Sequence, residues 1–196
     1  MGRPREFDVG QAVATAADLF WAKGYDRTSL SDLTKAIGIT PPSFYFAFGS
    51  KEGLFGKVLD HYLSGHLGYF EDALREPTAR KVVERLLYGY ADGQTDPTHP
   101  PGCLGVNCAL PCPEDADDVR QMLAAVRKKS GDRLRRRFTK AKSDGDLPPD
   151  ADPAALAHFI QTIGWGMAVD AQSGATRKDL YRTVTLALKA WPAKTA

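Results

Sequence analysis

The chain has 196 residues, of which 43% are hydrophobic and 26% are charged, with 26 Lys and Arg against 24 Asp and Glu. This composition supports a packed core and excludes a disordered chain, a collagen-like repeat and a disulfide scaffold. No stretch approaches the ~20 apolar residues of a membrane-spanning helix. The first residues carry no apolar run typical of a signal peptide. The chain has three cysteines, an odd number that argues against a set of disulfides and for a reducing compartment. We therefore expect a cytoplasmic protein with no membrane partner.

Hydrophobic residues recur at helical spacing through the first part of the chain. They predict an amphipathic helix over Val9–Phe20, which Gly24 can stop, and a shorter helix over Leu30–Ile37, which Gly38 ends. A third helix of about two turns is predicted over Pro41–Phe48. The pattern thus gives one longer helix followed by two short ones.

Capping residues support the starts of the two short helices. Ser29 and Asp32 have the spacing of a capping box. Thr40 suits an N-cap, and Pro41 suits the first helical position, where its missing N–H costs nothing.

The rest of the chain also follows the helical period. Loops rich in Pro and Asp are predicted at Asp92–Gly102 and Ser143–Asp152. Six further helices are predicted at 51–75, 78–91, 103–110, 119–138, 153–172 and 176–191. No alternating strand pattern is found, so we expect an all-α fold of about nine helices.

The two short helices and the turn Gly38-Ile39-Thr40 make a helix-turn-helix over about residues 29–48. Such a unit can place its second helix in the major groove of DNA. Geometry alone also allows an ordinary corner between two helices of a bundle. We divide the chain into a three-helix domain, 1–50, and a second domain, 51–196.

Particular residues in this unit resemble the DNA-binding signature of the TetR/AcrR family of transcriptional regulators. The resemblance lies in the turn Ala36–Thr40 (AIGIT), in Tyr45–Phe48 (YFAF) and in Lys51–Leu54 (KEGL), all within Thr28–Phe55. It implies a homodimer that binds a palindromic operator in double-stranded DNA and is released by a small-molecule effector, as a repressor. It implies no cofactor, no metal and no enzymatic activity. The sequence also contains no Gly-rich phosphate loop and no His-Glu-x-x-His motif.

The resemblance assigns roles to the residues of the DNA-binding unit. Backbone phosphates are expected to contact Thr28, Thr40, Tyr45 and Lys51. Base reading is expected from Pro41, Pro42, Ser43 and Phe46, with apolar contacts to thymine methyls and Ser43 as the main polar reader. Phe46 could instead pack into the core. Arg3 and Arg5 resemble a basic arm that reaches phosphates or the minor groove, or they belong to a disordered terminus.

The second domain is expected to supply a dimer interface and an effector pocket. For the interface we predict a stripe of small or short side chains with positions on the last helix: Ala157, Gln161, Gly164, Ala168, Val184 and Leu188. For the pocket we predict a mixture of aromatic and polar residues: His61, Tyr62, His66, Tyr69, Tyr88, Cys103, Asn107 and Trp165.

Two features leave alternatives open. Cys103, Cys108 and Cys112 are free structural thiols, a redox switch, or a metal site that His99 completes. Residues 127–142 carry nine basic side chains and one acidic one, which fits a solvated helix face, an acidic partner or attraction to DNA. Alternative functions are a thiol-based redox-sensing regulator and a small-molecule carrier with a vestigial helix-turn-helix.

Overall fold

The computed structural model describes residues 7–66, 68–109 and 116–192, and the described residues form helices and no strand. The all-α prediction is therefore confirmed. In chain order the helices are α1 Val9–Lys23, α2 Leu30–Ile37, α3 Pro41–Phe48, α4 Lys51–Gly65, α5 Gly68–Leu74, α6 Ala79–Gln94, α7 Leu104–Ala109, α8 Asp117–Ser143, α9 Pro153–Gln172 and α10 Arg177–Ala190.

The described ranges contain ten helices where the sequence predicts nine, because the helix predicted over 51–75 is two. Helix α4 ends at Gly65, and the N–H of His66 donates to the carbonyl of Tyr62 at 2.9 Å. Gly68 then opens α5. Each glycine disfavours a helix interior by ~1 kcal/mol relative to alanine, so two of them three positions apart favour a break.

The predicted caps of the two short helices are confirmed. Ser29 Oγ accepts a hydrogen bond from the N–H of Asp32 at 3.0 Å, and Asp32 Oδ2 accepts one from the N–H of Ser29 at 3.1 Å. Thr40 caps α3, with Pro41 in its first turn. Gly38 lies between these helices in the left-handed conformation, with φ of 78°, which glycine adopts at the least steric cost.

Two clusters of buried side chains make up the core. The first joins α1–α4 to α7 and the start of α8, through Phe20, Phe55, Leu104 and Val119 among others. The second joins α5, α6, α8, α9 and α10. The first cluster crosses the boundary that the sequence suggests between residues 50 and 51, since α4 packs directly against α1. None of the described helices is long and apolar enough to cross a membrane.

Candidate functional site

Helix α3 presents an apolar face to solvent. Phe44 and Phe48 point inward and are buried, while Phe46 is 94% exposed and Tyr45 is 52% exposed. Pro41 is exposed on the same helix. Residues 44 and 48 are one turn apart and share the core face, so position 46 lies on the opposite side. The alternative that Phe46 packs into the core is therefore wrong.

The start of α3 has few free hydrogen-bonding groups. Thr40 Oγ1 and Ser43 Oγ lie 3.0 Å apart, and Thr40 Oγ1 also accepts from the N–H of Ser43 at 3.5 Å. Pro41 and Pro42 carry no N–H. A base or phosphate at this end of α3 therefore meets two hydroxyls that already bond each other, and apolar rings.

Lys51 stands at the start of α4 beside the ring of Tyr25. Its ammonium lies 4.1 Å from the ring centroid, and the Tyr25 hydroxyl donates to Glu52 Oε1 at 2.7 Å. This hydrogen bond is the main reason why the pKa of Glu52 is lowered. The group holds a cation at the end of the helix-turn-helix unit, where it suits a phosphate contact. The sequence pattern does not predict that Tyr25 contacts Lys51 and Glu52.

Thr28 does not take the place that the sequence predicts for it. Its side chain is fully buried, and its hydroxyl donates to the carbonyl of Gly24 at 2.7 Å. Its N–H donates to the carbonyl of Tyr25. The helix cap is Ser29, one residue later, so Thr28 turns inward and holds the turn after α1. The proposed phosphate contact of Thr28 is corrected to a structural role.

Replacing Thr28 by valine is expected to lower the free energy of unfolding by about 1–2 kcal/mol, because it removes a buried hydroxyl donor at nearly constant shape. DNA affinity of the folded protein should stay the same. Urea unfolding and a DNA titration measure the two quantities. Thr15→Val is the matched control, since the Thr15 hydroxyl makes the same bond to the carbonyl four residues earlier, at a less buried position. A loss of DNA affinity with unchanged stability would restore the phosphate role.

A cavity of about 480 Å³ lies between α1 and the helices of the second domain. Its wall contains five of the predicted pocket residues: Tyr62, His66, Tyr69, Cys103 and Trp165. It also contains Tyr90, a further aromatic residue that the sequence places near the pocket, and three residues that the sequence does not assign to a pocket: Trp21, Gln94 and His99. Trp21 belongs to α1, whose apolar spacing identified it only as a core helix.

Three predicted pocket residues lie elsewhere. His61 is exposed on α4. Tyr88 packs edge-on against Tyr181 of α10, with ring centroids 4.9 Å apart. Asn107 is buried at the contact of α7 with α1, where its Nδ2 donates to the carbonyl of Trp21 at 3.0 Å. Each was assigned from its residue type, whereas the turn of its helix directs it away from the cavity.

Aromatic side chains make up much of the cavity wall. Trp21 stacks on His99 with ring centroids 4.1 Å apart and meets Tyr62 edge-on at 5.0 Å. Burial raises the pKa of the Tyr62, Tyr69 and Tyr90 phenols. Because a phenol titrates near pH 10 even in water, all three are neutral at physiological pH.

The two described cysteines lie close together in the chain, Cys103 directly before α7 and Cys108 within it. Cys103 Sγ accepts a hydrogen bond from the Tyr62 hydroxyl at 3.2 Å, and Cys108 Sγ donates to the carbonyl of Phe20 at 3.4 Å. No cluster of three or more His, Cys, Asp or Glu that could hold a metal ion occurs within 7–66, 68–109 and 116–192. Cys112, Arg3 and Arg5 lie outside these ranges.

Five of the six residues predicted for the dimer interface are buried within the protomer, which corrects their assignment. Ala157, Ala168, Val184 and Leu188 belong to the protomer's own core. A Cβ on Gly164 would lie 2.8 Å from the Tyr90 ring, so this glycine lets that ring approach α9. Gln161 lines the cavity. The small side chains therefore admit neighbours from the same chain, and the outward faces of α9 and α10 carry large residues instead: Phe159, Val169 and Leu186.

The basic segment of α8 is largely paired with the chain itself. Arg137 donates to the backbone carbonyls of Leu74 and Glu76, at 3.2 and 2.8 Å. Four other basic residues form ion pairs with acidic neighbours, Arg133 with Glu71, Lys128 and Arg135 with Asp132, and Lys140 with Asp144. These contacts favour a solvated face that also fastens α8 to α5.

Comparisons with known proteins agree with the helix-turn-helix and the second domain. Residues 12–58 match the family model of the bacterial regulatory proteins of the tetR family, and residues 79–186 match the tetracyclin repressor-like C-terminal domain. The chain is 32% identical over 193 residues to the HTH-type transcriptional repressor ComR of Escherichia coli, covering 97% of this chain and 92% of ComR. It is 30% identical over 190 residues to the repressor BdcR of the same species, covering 95% and 90%.

Solved structures give the same result. A cysteine mutant of the TetR family regulator CifR, complexed with 26-base-pair double-strand operator DNA, superposes with a TM-score of 0.91 at 43% identity, covering 97% of this chain and 100% of that one. A TetR regulator from Rhodococcus superposes with a TM-score of 0.63 at 40% identity, covering 93% and 98%. From its fold, its helix-turn-helix and these relatives, the chain belongs to the TetR family of transcriptional regulators, which bind DNA through their N-terminal helices.

Proposed function

We propose that this protein is a cytoplasmic homodimeric repressor that binds a palindromic operator and releases it when a small molecule fills the cavity. One observation carries the proposal. Trp21, on the helix that supports the helix-turn-helix, is part of the cavity wall. A ligand in the cavity therefore touches the DNA-binding unit directly. The molecule acts by binding and not by catalysis.

The exposed face of α3 is proposed to read the operator in the major groove. Phe46, Pro41 and Pro42 offer apolar surface that suits thymine methyl groups, with Ser43 as the polar reader. Thr40, Tyr45 and Lys51 are proposed to contact the phosphates around this face. The complex of CifR with operator DNA, at 43% identity to this chain, supports binding of an operator.

Helix α7 is proposed to transmit ligand binding to α1. Asn107 Nδ2 bonds the carbonyl of Trp21, and Cys108 Sγ bonds the carbonyl of Phe20. Cys103, just before α7, lies in the cavity wall. In the homodimer, the α3 helices of the two subunits must lie one helical turn of DNA, ~34 Å, apart to enter successive major grooves. The ligand needs only to favour a conformer in which this spacing is lost.

Asn107→Ala is expected to weaken the effect of ligand on DNA affinity about fivefold, since it removes the amide that ties α7 to α1. The measured quantity is the ratio of operator Kd with and without a compound that releases the wild type. Thr98→Ala is the control, because Thr98 lies in the cavity wall but its hydroxyl bonds Asp96 and not α1. An unchanged ratio in Asn107→Ala would exclude α7 as the route.

A second copy of the chain is proposed to cover the outer faces of α9 and α10. Phe159 and Val169 lie three turns apart on one face of α9, and Leu186 is exposed on α10. Gly166 lies between them on α9 with open space beyond it, which allows a partner helix to come close. An interface that repeats about a twofold axis matches the symmetry of a palindromic operator.

The experiment that tests the proposal is recovery of binding sites from DNA of the source genome at about 100 mM salt, a concentration at which nonspecific phosphate attraction is already weakened. Enrichment of a few palindromic sites supports the regulator. Uniform recovery that vanishes with modest added salt indicates phosphate attraction alone. No recovery favours the carrier with a vestigial helix-turn-helix.

A thiol-based regulator is the second candidate, because Cys103 lies in the cavity wall and accepts a hydrogen bond from Tyr62. Hydrogen peroxide would then release the operator from the wild type but not from Cys103→Ser. Release of neither protein would leave reversible ligand binding as the mechanism, and release of both would exclude Cys103 as the oxidised group.

A further inference from the structure

We infer that the cavity recognises a neutral, largely apolar molecule that offers one hydrogen-bond acceptor to the indole N–H of Trp21 and one hydrogen-bond donor to the side-chain oxygen of Gln94. This inference rests on the proposed function, in which the cavity is the effector site. It adds the chemical class of the effector and the two atoms that select it.

Two unpaired polar atoms belong to residues of the cavity wall. Trp21 is 2% exposed and Gln94 is 6% exposed, and neither Trp21 Nε1 nor Gln94 Oε1 has a hydrogen-bond partner. Buried polar atoms are almost always paired in native proteins. Two exceptions in the wall of one cavity indicate partners that are supplied from within it.

The chemistry of each atom follows from its neighbours. An indole nitrogen only donates. Gln94 Nε2 donates to the carbonyl of Gly164 at 2.9 Å, and because a carbonyl can only accept, the amide nitrogen must be the atom that faces it. Gln94 Oε1 therefore remains as an acceptor. A complementary ligand therefore carries an acceptor for the indole N–H of Trp21 and a donor for Gln94 Oε1.

The third unpaired atom does not belong to this site. Asn107 Oδ1 is buried and unpaired, but Asn107 does not line the cavity. A Cβ on Gly102 would lie 3.0 Å from this oxygen, so it is enclosed by the loop before α7. Trp21 Nε1 and Gln94 Oε1 thus differ from Asn107 Oδ1, because only their residues belong to the cavity wall.

The charged and titratable side chains of the wall favour a ligand without net charge. The phenols of Tyr62, Tyr69 and Tyr90 are neutral, and burial lowers the pKa of His66, which favours its neutral form. Asp92 pairs with Arg177 and accepts from the Tyr181 hydroxyl. Asp96 and Arg127 carry one charge of each sign, with the Thr98 hydroxyl beside Asp96 and the Trp165 ring beside Arg127. The wall therefore has no net charge to offset the loss of hydration of an ionic group, so a neutral ligand is favoured.

The shape and lining of the cavity suit an aromatic body. A volume of about 480 Å³ lies in the range of drug-sized ligand sites. Trp21, His66, Tyr90 and Trp165 offer ring faces and edges for stacking. Such a body fills the cavity, and its polar groups supply the hydrogen bonds that Trp21 Nε1 and Gln94 Oε1 lack within the protein.

The test is calorimetric titration of the full-length protein with four naphthalene probes of matched size. They are 6-acetyl-2-naphthol (acceptor and donor), 2-acetylnaphthalene (acceptor only), 2-ethylnaphthalene (neither) and 6-hydroxy-2-naphthoate (anionic). Each neutral hydrogen bond is expected to change Kd about threefold to tenfold. The hydroxy-ketone should bind tightest, followed by the ketone and the hydrocarbon, with the anion weakest.

Two variants assign the two bonds. Trp21→Phe should remove the preference for the ketone over the hydrocarbon, and Gln94→Leu should remove the preference for the hydroxy-ketone over the ketone. Because each result is a ratio between probes in one protein, a general loss of affinity does not imitate it. Trp191→Phe is the control, since Trp191 packs in the second core cluster and does not line the cavity.

The outcomes separate this inference from the proposed function. Absence of binding by all four probes, tightest binding by the anion, or an unchanged ketone preference in Trp21→Phe would overturn the inference, and operator recovery from genomic DNA would still stand. The expected order of affinities without release of a recovered operator would support the inference and contradict ligand-controlled repression.

Discussion

Leu186→Asp is expected to split the dimer into monomers and to lower operator affinity with it. Leu186 is 66% exposed on α10, and Phe159 and Val169 are exposed apolar residues of α9. In a symmetric interface each subunit contributes the same surface, so one substitution buries two carboxylates without partners. We expect the dimer dissociation constant to rise about 30-fold or more. Sedimentation velocity over a range of protein concentrations measures this constant.

Thr139→Asp on α8 is the control, since it adds the same charge at an exposed position on another helix. Circular dichroism should show both variants folded, because Leu186 contributes little to the core of its own protomer. A Leu186→Asp protein that stays dimeric would place the interface on another face and would contradict the proposed arrangement of α9 and α10.

Phe46→Ala is expected to lower affinity for the operator about 10-fold to 100-fold, which is the usual range for one specific contact with a base. Its ring is 94% exposed, so its removal should leave the free energy of unfolding nearly unchanged. Affinity for random DNA should also stay the same, because that affinity depends on phosphate contacts. Fluorescence anisotropy with operator and random duplexes measures both.

Phe46→Leu is the matched control, because it keeps an apolar side chain that can meet a thymine methyl group. We expect it to retain most of the preference for the operator. Equal losses on operator and random DNA in Phe46→Ala would instead indicate a role in general DNA affinity. Sites selected by the variant should differ from wild-type sites at the base pairs that Phe46 meets.

Local signals explain why much of the fold could be predicted. The helices α1, α2, α3, α9 and α10 depend on hydrophobic spacing and on caps such as Ser29, Thr40 and Asp152, which act within one turn of the chain. The sequence predicts one continuous helix over 51–75, whereas the structure has two helices that are separated between Gly65 and Gly68. Both glycines disfavour a helix and are visible in the sequence. The DNA-binding unit was identified for the same reason, since its turn and caps are contiguous.

The sequence by itself determined the helical fold, the helix-turn-helix and the family, because periodicity, caps and a contiguous motif are local properties. Only the tertiary structure decided which side chains of an amphipathic helix meet each other. It turned Thr28 inward, placed Trp21 and Gln94 in one cavity wall, and buried the small stripe of α9 against the same chain. These outcomes depend on the angles and distances at which helices far apart in the chain pack, and residue spacing within one helix does not specify them.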